Sequence, residues 1–140
     1  MRFRMCAAAL ALSLVAVGLV GCGGGSGSSV NNTRSFTGKY GGTFAGTVNG
    51  VADNGTLTGT VASDGSLTGL SHSNAANADG TVTGTISTAG VVAGTFVYPG
   101  VTYTVSGTVS KTSAGHLIGT LTEFSGTTAI GSFTIDLGPQ

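Results

Sequence analysis

The stretch Thr81-Val82-Thr83-Gly84-Thr85-Ile86 decides the fold. Read with a period of two, Val82, Gly84 and Ile86 project to one side and Thr81, Thr83 and Thr85 to the other. One side is apolar and the other wettable, which is the pattern of a half-buried strand. Val, Ile and Thr carry a branch at Cβ and suit an extended, pleated backbone.

Moving outward, the same unit, apolar-x-Gly-x-apolar, recurs at residues 44–48, 57–61, 67–71, 92–96, 105–109, 117–121 and 129–133. The central glycines, from Gly46 to Gly131, lie about twelve residues apart, the spacing of one strand and one tight turn. Asp53-Asn54-Gly55, Asp64-Gly65 and Asp79-Gly80 read as hairpin turns, because these residues tolerate or supply positive φ. Ala89-Gly90, Tyr98-Pro99-Gly100, Ser113-Ala114-Gly115 and Ser125-Gly126 mark the remaining turns. No connection is long enough for a parallel crossover. The expected fold is all-β: a small antiparallel up-and-down meander of about eight strands, closed into a barrel or, alternatively, stacked as a β-sandwich.

A glycine inside a strand costs stability, so its repetition on the apolar side needs a structural cause. The inside of an eight-stranded barrel is just wide enough for side chains. The glycines are therefore expected to make room for Tyr40, Phe44, Phe96, Tyr103 and Phe133, the candidate lumen residues. Closure would also remove the exposed edges that invite aggregation.

One unit breaks the rule. Residues 67–71 carry Leu70 where Thr is usual and end in Ser71 where an apolar residue is expected. The longest connection follows, residues 71–80, and long loops carry function more often than tight turns. Ser71, His72, Asn74, Asn77 and Asp79 form the candidate binding loop.

The chain has 140 residues, enough for one domain. Beyond residue 21 it holds Arg34, Lys39 and Lys111 against Asp53, Asp64, Asp79, Glu123 and Asp136, a net charge of −2. Such a charge-poor, weakly acidic chain has no electrostatic grip on nucleic acid. Catalytic chemistry is not expected. The histidines are His72 and His116 alone, and no G-x-S-x-G elbow occurs. Asn74, Asn77 and Asp79 lack the spacing and closing Glu of a calcium loop, so neither metal nor cofactor is expected. A carboxylate pair would need two of the five acids to converge. Asp53, Asp64 and Asp79 read as turn residues and Asp136 as water-facing. Leu70, Val91, Ala93, Val97 and Ile118 are expected to face outward.

The N-terminus carries a different signal. Met1-Arg2-Phe3-Arg4 is a basic start, and an apolar run of about fifteen residues follows, too short to prefer spanning a membrane. Leu19-Val20-Gly21-Cys22 resembles the lipobox of bacterial lipoproteins. The resemblance implies cleavage before Cys22, a diacylglycerol thioether on its sulfur and an acylated amine, such as a palmitoyl amide. Two or three acyl chains anchor a protein stably. Gly23 stands where that family places Asp for inner-membrane retention, which implies the outer membrane. Gly23 to Ser29 has no side chains to pack and reads as a flexible tether spanning roughly 15 Å. The expected organisation is a signal peptide over 1–21, the lipidated Cys22 and its tether over 22–35, and a barrel domain over 36–140.

The Gly strands, opened by Gly38-Lys39-Tyr40-Gly41-Gly42-Thr43-Phe44, resemble the small eight-stranded barrels of Gram-negative surface lipoproteins of the transferrin-binding protein B kind. The resemblance covers residues 36–137 and extends to the barrel, not to that group's host-protein partners. The functional expectation is a non-enzymatic, outer-membrane-anchored lipoprotein. It would act as a binding or envelope-interaction module toward a protein or small-molecule partner. Two alternatives stand beside it: a carrier of a small apolar ligand in the lumen, and a structural or self-assembling surface protein.

Overall fold

The computed structural model describes residues 35–140. The residues read from the sequence as a signal peptide, the lipidated Cys22 and its tether lie, as far as residue 34, outside the described residues. Eight strands follow one another: β1 (Gly38–Val48), β2 (Val51–Val61), β3 (Ser66–Ser73), β4 (Ala78–Ile86), β5 (Val91–Tyr98), β6 (Val101–Lys111), β7 (Leu117–Ser125) and β8 (Thr128–Pro139). Each pairs antiparallel with the next, and β1 pairs with β8 from Tyr40↔Pro139 to Val48↔Gly131. The meander is thus a closed barrel and not a sandwich, and neither terminal strand is left as a free edge.

Two turns fall elsewhere than the Asp-Gly pairs indicated. The first hairpin reverses at Asn49-Gly50, with φ of 51° and 76°. Asp53-Asn54-Gly55 lies inside β2, opposite Gly46, Ala45 and Phe44. Asn-Gly with both residues at positive φ has the backbone twist a two-residue hairpin requires, so it takes the turn. Likewise the β3–β4 connection is the four residues 74–77, with Asn77 at φ 47°, and Asp79-Gly80 is already in β4. The ten-residue loop read from the sequence is therefore mostly strand. Asp64-Gly65 does mark a turn, with Gly65 at φ 84°.

Alternation sorts the wall as expected. Val61, Val82, Ile86, Val92, Val105, Val109, Leu117 and Leu121 are buried inside. Outside, Thr60, Thr68, Thr83, Thr95 and Thr104 are partners in one row across β2 to β6, and the hydroxyls of Thr83 and Thr95 lie 2.9 Å apart.

The glycines serve a different purpose from the one expected. Gly84 and Gly94 are direct partners on β4 and β5. A Cβ on Gly84 would lie 2.5 Å from the Ala93 carbonyl oxygen and 2.7 Å from the Gly94 Cα. The space is taken by the neighbouring backbone, as strongly coiled strands in a narrow barrel require. Rings crowd the missing Cβ most closely near the open end, where Phe44 lies 2.8 Å from the Gly55 position and Tyr98 2.7 Å from that of Gly80.

The two ends of the lumen differ. At the end where the chain joins β1, Phe36 is buried and its carbonyl accepts a hydrogen bond from the Tyr40 hydroxyl at 2.8 Å. The Lys111 ammonium lies 5.6 Å from the centre of the Tyr40 ring and 3.4 Å from the Ser35 carbonyl oxygen. This half of the lumen is filled; a void of about 40 Å³ remains among Tyr40, Leu57, Leu67 and Val82. The other half is open.

Candidate functional site

The open half is a cup of about 410 Å³. Its floor is built from three strands. Phe44 of β1 and Phe96 of β5 both meet Phe133 of β8 edge to face, with ring centres 5.6 and 5.7 Å apart and ring planes at 63° and 60°. Tyr98 stacks on Phe96 at 6.4 Å, two residues further up the same strand face. Tyr103, the residue paired with Phe96 across β5 and β6, completes the aromatic wall. The lip is apolar, with Val51 and Val101 exposed beside Ala75, Ala76 and Pro99.

Of the five lumen residues read from the sequence, Tyr40 lies in the plugged half, Phe44, Phe96 and Phe133 form the cup floor, and Tyr103 lines its side. The candidate binding loop is divided by the pleat. Ser71 and Ser73 face inward and are buried, while His72 faces outward with Asp79, Nδ1 to Oδ1 2.7 Å. A second outward pair, His116 and Asp136, meets at 2.6 Å. Neither pair reaches the cup. Asn74 donates to the Asn54 side chain at 2.5 Å, and Asn77 serves the turn through its positive φ.

The polar groups of the cup include two carboxylates that the sequence did not bring together. Asp53, read as a turn residue, is an inward residue of β2. One of its oxygens accepts from the Ser73 hydroxyl at 2.8 Å and the other from the Ala75 N–H at 3.1 Å. It clamps the β3–β4 turn to the barrel. Ser73 in turn accepts from the Ala76 N–H at 3.1 Å. The Ser71 hydroxyl donates to the Tyr98 oxygen at 3.0 Å, and burial raises the Tyr98 hydroxyl above its usual pKa.

Glu123 of β7 differs from Asp53. It is only 5% exposed, yet its carboxylate takes part in none of the side-chain hydrogen bonds among the described residues. Every side-chain polar atom there that is shut off from solvent has a partner. The little exposure Glu123 keeps is therefore that of its carboxylate, toward the cup. Burial, and then the charge of Asp53, raise its pKa to about 6. No Lys, Arg or His of the described residues lines the cup. Among the same residues no three His, Cys, Asp or Glu side chains converge.

The raised Glu123 sets a pH dependence of stability. An unfolded chain ionises Glu near about pH 4.3. Between that value and about 6 the unfolded chain has released a proton that the folded barrel still holds. Stability therefore falls as pH rises through this window. Glu123→Gln removes the fall. Above the window it should stabilise the barrel by about 1 kcal/mol, after allowing for water in the cup. Urea midpoints of both proteins at about pH 4.5 and 7.5 check this; parallel pH profiles would contradict it.

No protein-family model, curated protein or solved structure matches the chain.

Proposed function

We propose that the chain is a non-enzymatic envelope lipoprotein, held by lipid on Cys22, whose barrel carries a small ligand with an apolar body in its cup. One observation carries the reading. Half of the lumen is filled by side chains, while the other half leaves an aromatic-floored cup of about 410 Å³. Small-molecule sites are concave, mostly apolar and roughly 300–1,000 Å³ in volume, with a few placed polar groups. The carrier reading is favoured over self-assembly because strand addition needs an unpaired edge, and β1 and β8 are paired along nine positions from Tyr40 to Val48.

Native mass spectrometry of the purified full chain tests the proposal. The expected result is a monomer with a reproducible small adduct that leaves on denaturation and is absent from a variant whose cup is filled by Ala78→Trp. A ladder of concentration-dependent oligomers without adduct would sink it in favour of a structural role. A bare monomer that also fails to take up small aromatic compounds would shift attention to protein partners of the rim.

A further inference from the structure

The filled half and the cup are both apolar, but only the cup contains ionisable acids. Its floor is Phe44, Phe96 and Phe133, and its charge comes from Asp53 on one side and Glu123 on the other. Asp53 has both oxygens engaged by Ser73 and Ala75. Glu123 has none of these internal partners, is only 5% exposed, and meets the cup with its carboxylate. A buried carboxylate without an internal partner is costly, and a ligand that supplies N–H donors and positive charge relieves that cost. Aromatic faces attract the same kind of ligand, since the ring quadrupole is negative over the face. An anionic ligand would meet two acids and no base.

Resting on the small-ligand reading above, we infer that the cup selects protonated amines with an apolar body. The apolar part lies on the Phe44–Phe133–Phe96 floor and the ammonium donates to Glu123. Tyr98 and Tyr103 line the same cup. Asp53 strengthens the field without giving up its clamp on the β3–β4 turn.

Three probes of nearly equal shape test the charge rule: phenethylamine, phenethyl alcohol and phenylacetate. Binding to the purified full chain is followed by calorimetry or by shifts of the cup resonances at about pH 8. The amine should bind at least about tenfold more tightly than the alcohol, and phenylacetate more weakly still. In Glu123→Gln the preference of amine over alcohol should drop to about twofold or less.

A second measurement needs no variant. Lowering the pH of the unaltered chain to about 5 protonates Glu123, so the amine should weaken several-fold and the alcohol should not. The other titratable groups facing the cup are Asp53, hydrogen-bonded to Ser73 and Ala75, Tyr98, whose hydroxyl burial holds above its usual range, and Tyr103. Equal binding of amine and alcohol overturns the charge rule and leaves the small-ligand reading standing. A preference that persists both in Glu123→Gln and at low pH also overturns it, because the ammonium is then held elsewhere. Failure of all three probes overturns both readings.

Discussion

Phe133→Ala should destabilise the barrel by about 4 kcal/mol, the range of a buried aromatic replaced by a methyl group. Phe133 is 6% exposed and touches both Phe44 and Phe96 edge to face. Such ring pairs add roughly 0.5–1.5 kcal/mol beyond the area they bury. Phe133 also stands opposite Gly46 on β1 and Leu121 on β7. No side chain on β1 at that position can relax into the space. The truncation opens the cup floor toward the packed half, and only water entering from the cup limits the loss. For a domain of about this size the melting temperature should fall by roughly 15 °C or more. Thermal unfolding followed by circular dichroism reads the change, and a loss under about 1.5 kcal/mol would mean that the rings do not form a shared floor.

The second large effect separates glycines that occupy the same place in the repeat. Gly84→Val should cost about 3 kcal/mol, the upper part of the range for overpacking a core. Its Cβ would meet two backbone atoms of β5, at 2.5 and 2.7 Å, and neither can rotate away. β4 and β5 would have to part at the centre of the sheet. Gly59→Ala meets a different environment, with the nearest atoms the Thr68 carbonyl oxygen at 3.2 Å and the Leu67 Cδ1 at 3.3 Å. There the modest crowding opposes the gain of about 0.5–1 kcal/mol from replacing a strand glycine by alanine, and the net change should be near zero. Chemical denaturation of the two variants makes the comparison. Equal losses would show that the glycines are required for conformation everywhere, and not for close approach at particular partners.

These residues also show what a linear pattern can and cannot reveal. The strands, their antiparallel order and the inward side were legible because period-two alternation is a local property of each stretch such as 81–86. Closure was not legible in the same way, and barrel and sandwich both fitted the pattern, because the pairing that decides between them joins Tyr40–Val48 to Gly131–Pro139, at opposite ends of the domain. The turns were misplaced at Asp53-Asn54-Gly55 and Asp79-Gly80 because Asp-Gly has turn chemistry wherever it occurs. Only competition with Asn49-Gly50 and Asn77 decides which pair bends.

The cup was half legible. Phe44, Phe96, Tyr103 and Phe133 could be read from the pattern, while Asp53 and Glu123 lie 70 positions apart and meet only through the register that runs from β2 through β1 and β8 to β7. One signal was available for Glu123. It occupies an inward register position, two residues after Leu121 and opposite Val105 of β6, where an apolar side chain is expected. Ser71 and Ser73 carry the same signal on β3, where polar residues on the inward face look from the sequence like the start of a loop.

The barrel has an even number of strands, so the chain leaves it at the pole where it came in. Gln140 donates its N–H to the Lys39 carbonyl oxygen at 3.0 Å, next to the Phe36 plug. The hairpin tips at Asn49-Gly50, residues 74–77, Pro99-Gly100 and Gly126-Thr127 all lie at the other pole. Whatever precedes Ser35 can lengthen, shorten or change its attachment without altering the ring of tips. Those tips can in turn be rewritten without disturbing the attachment. Heritable variation in what is held and in where the protein is held can therefore accumulate separately, and one scaffold can be redeployed by changing four short turns.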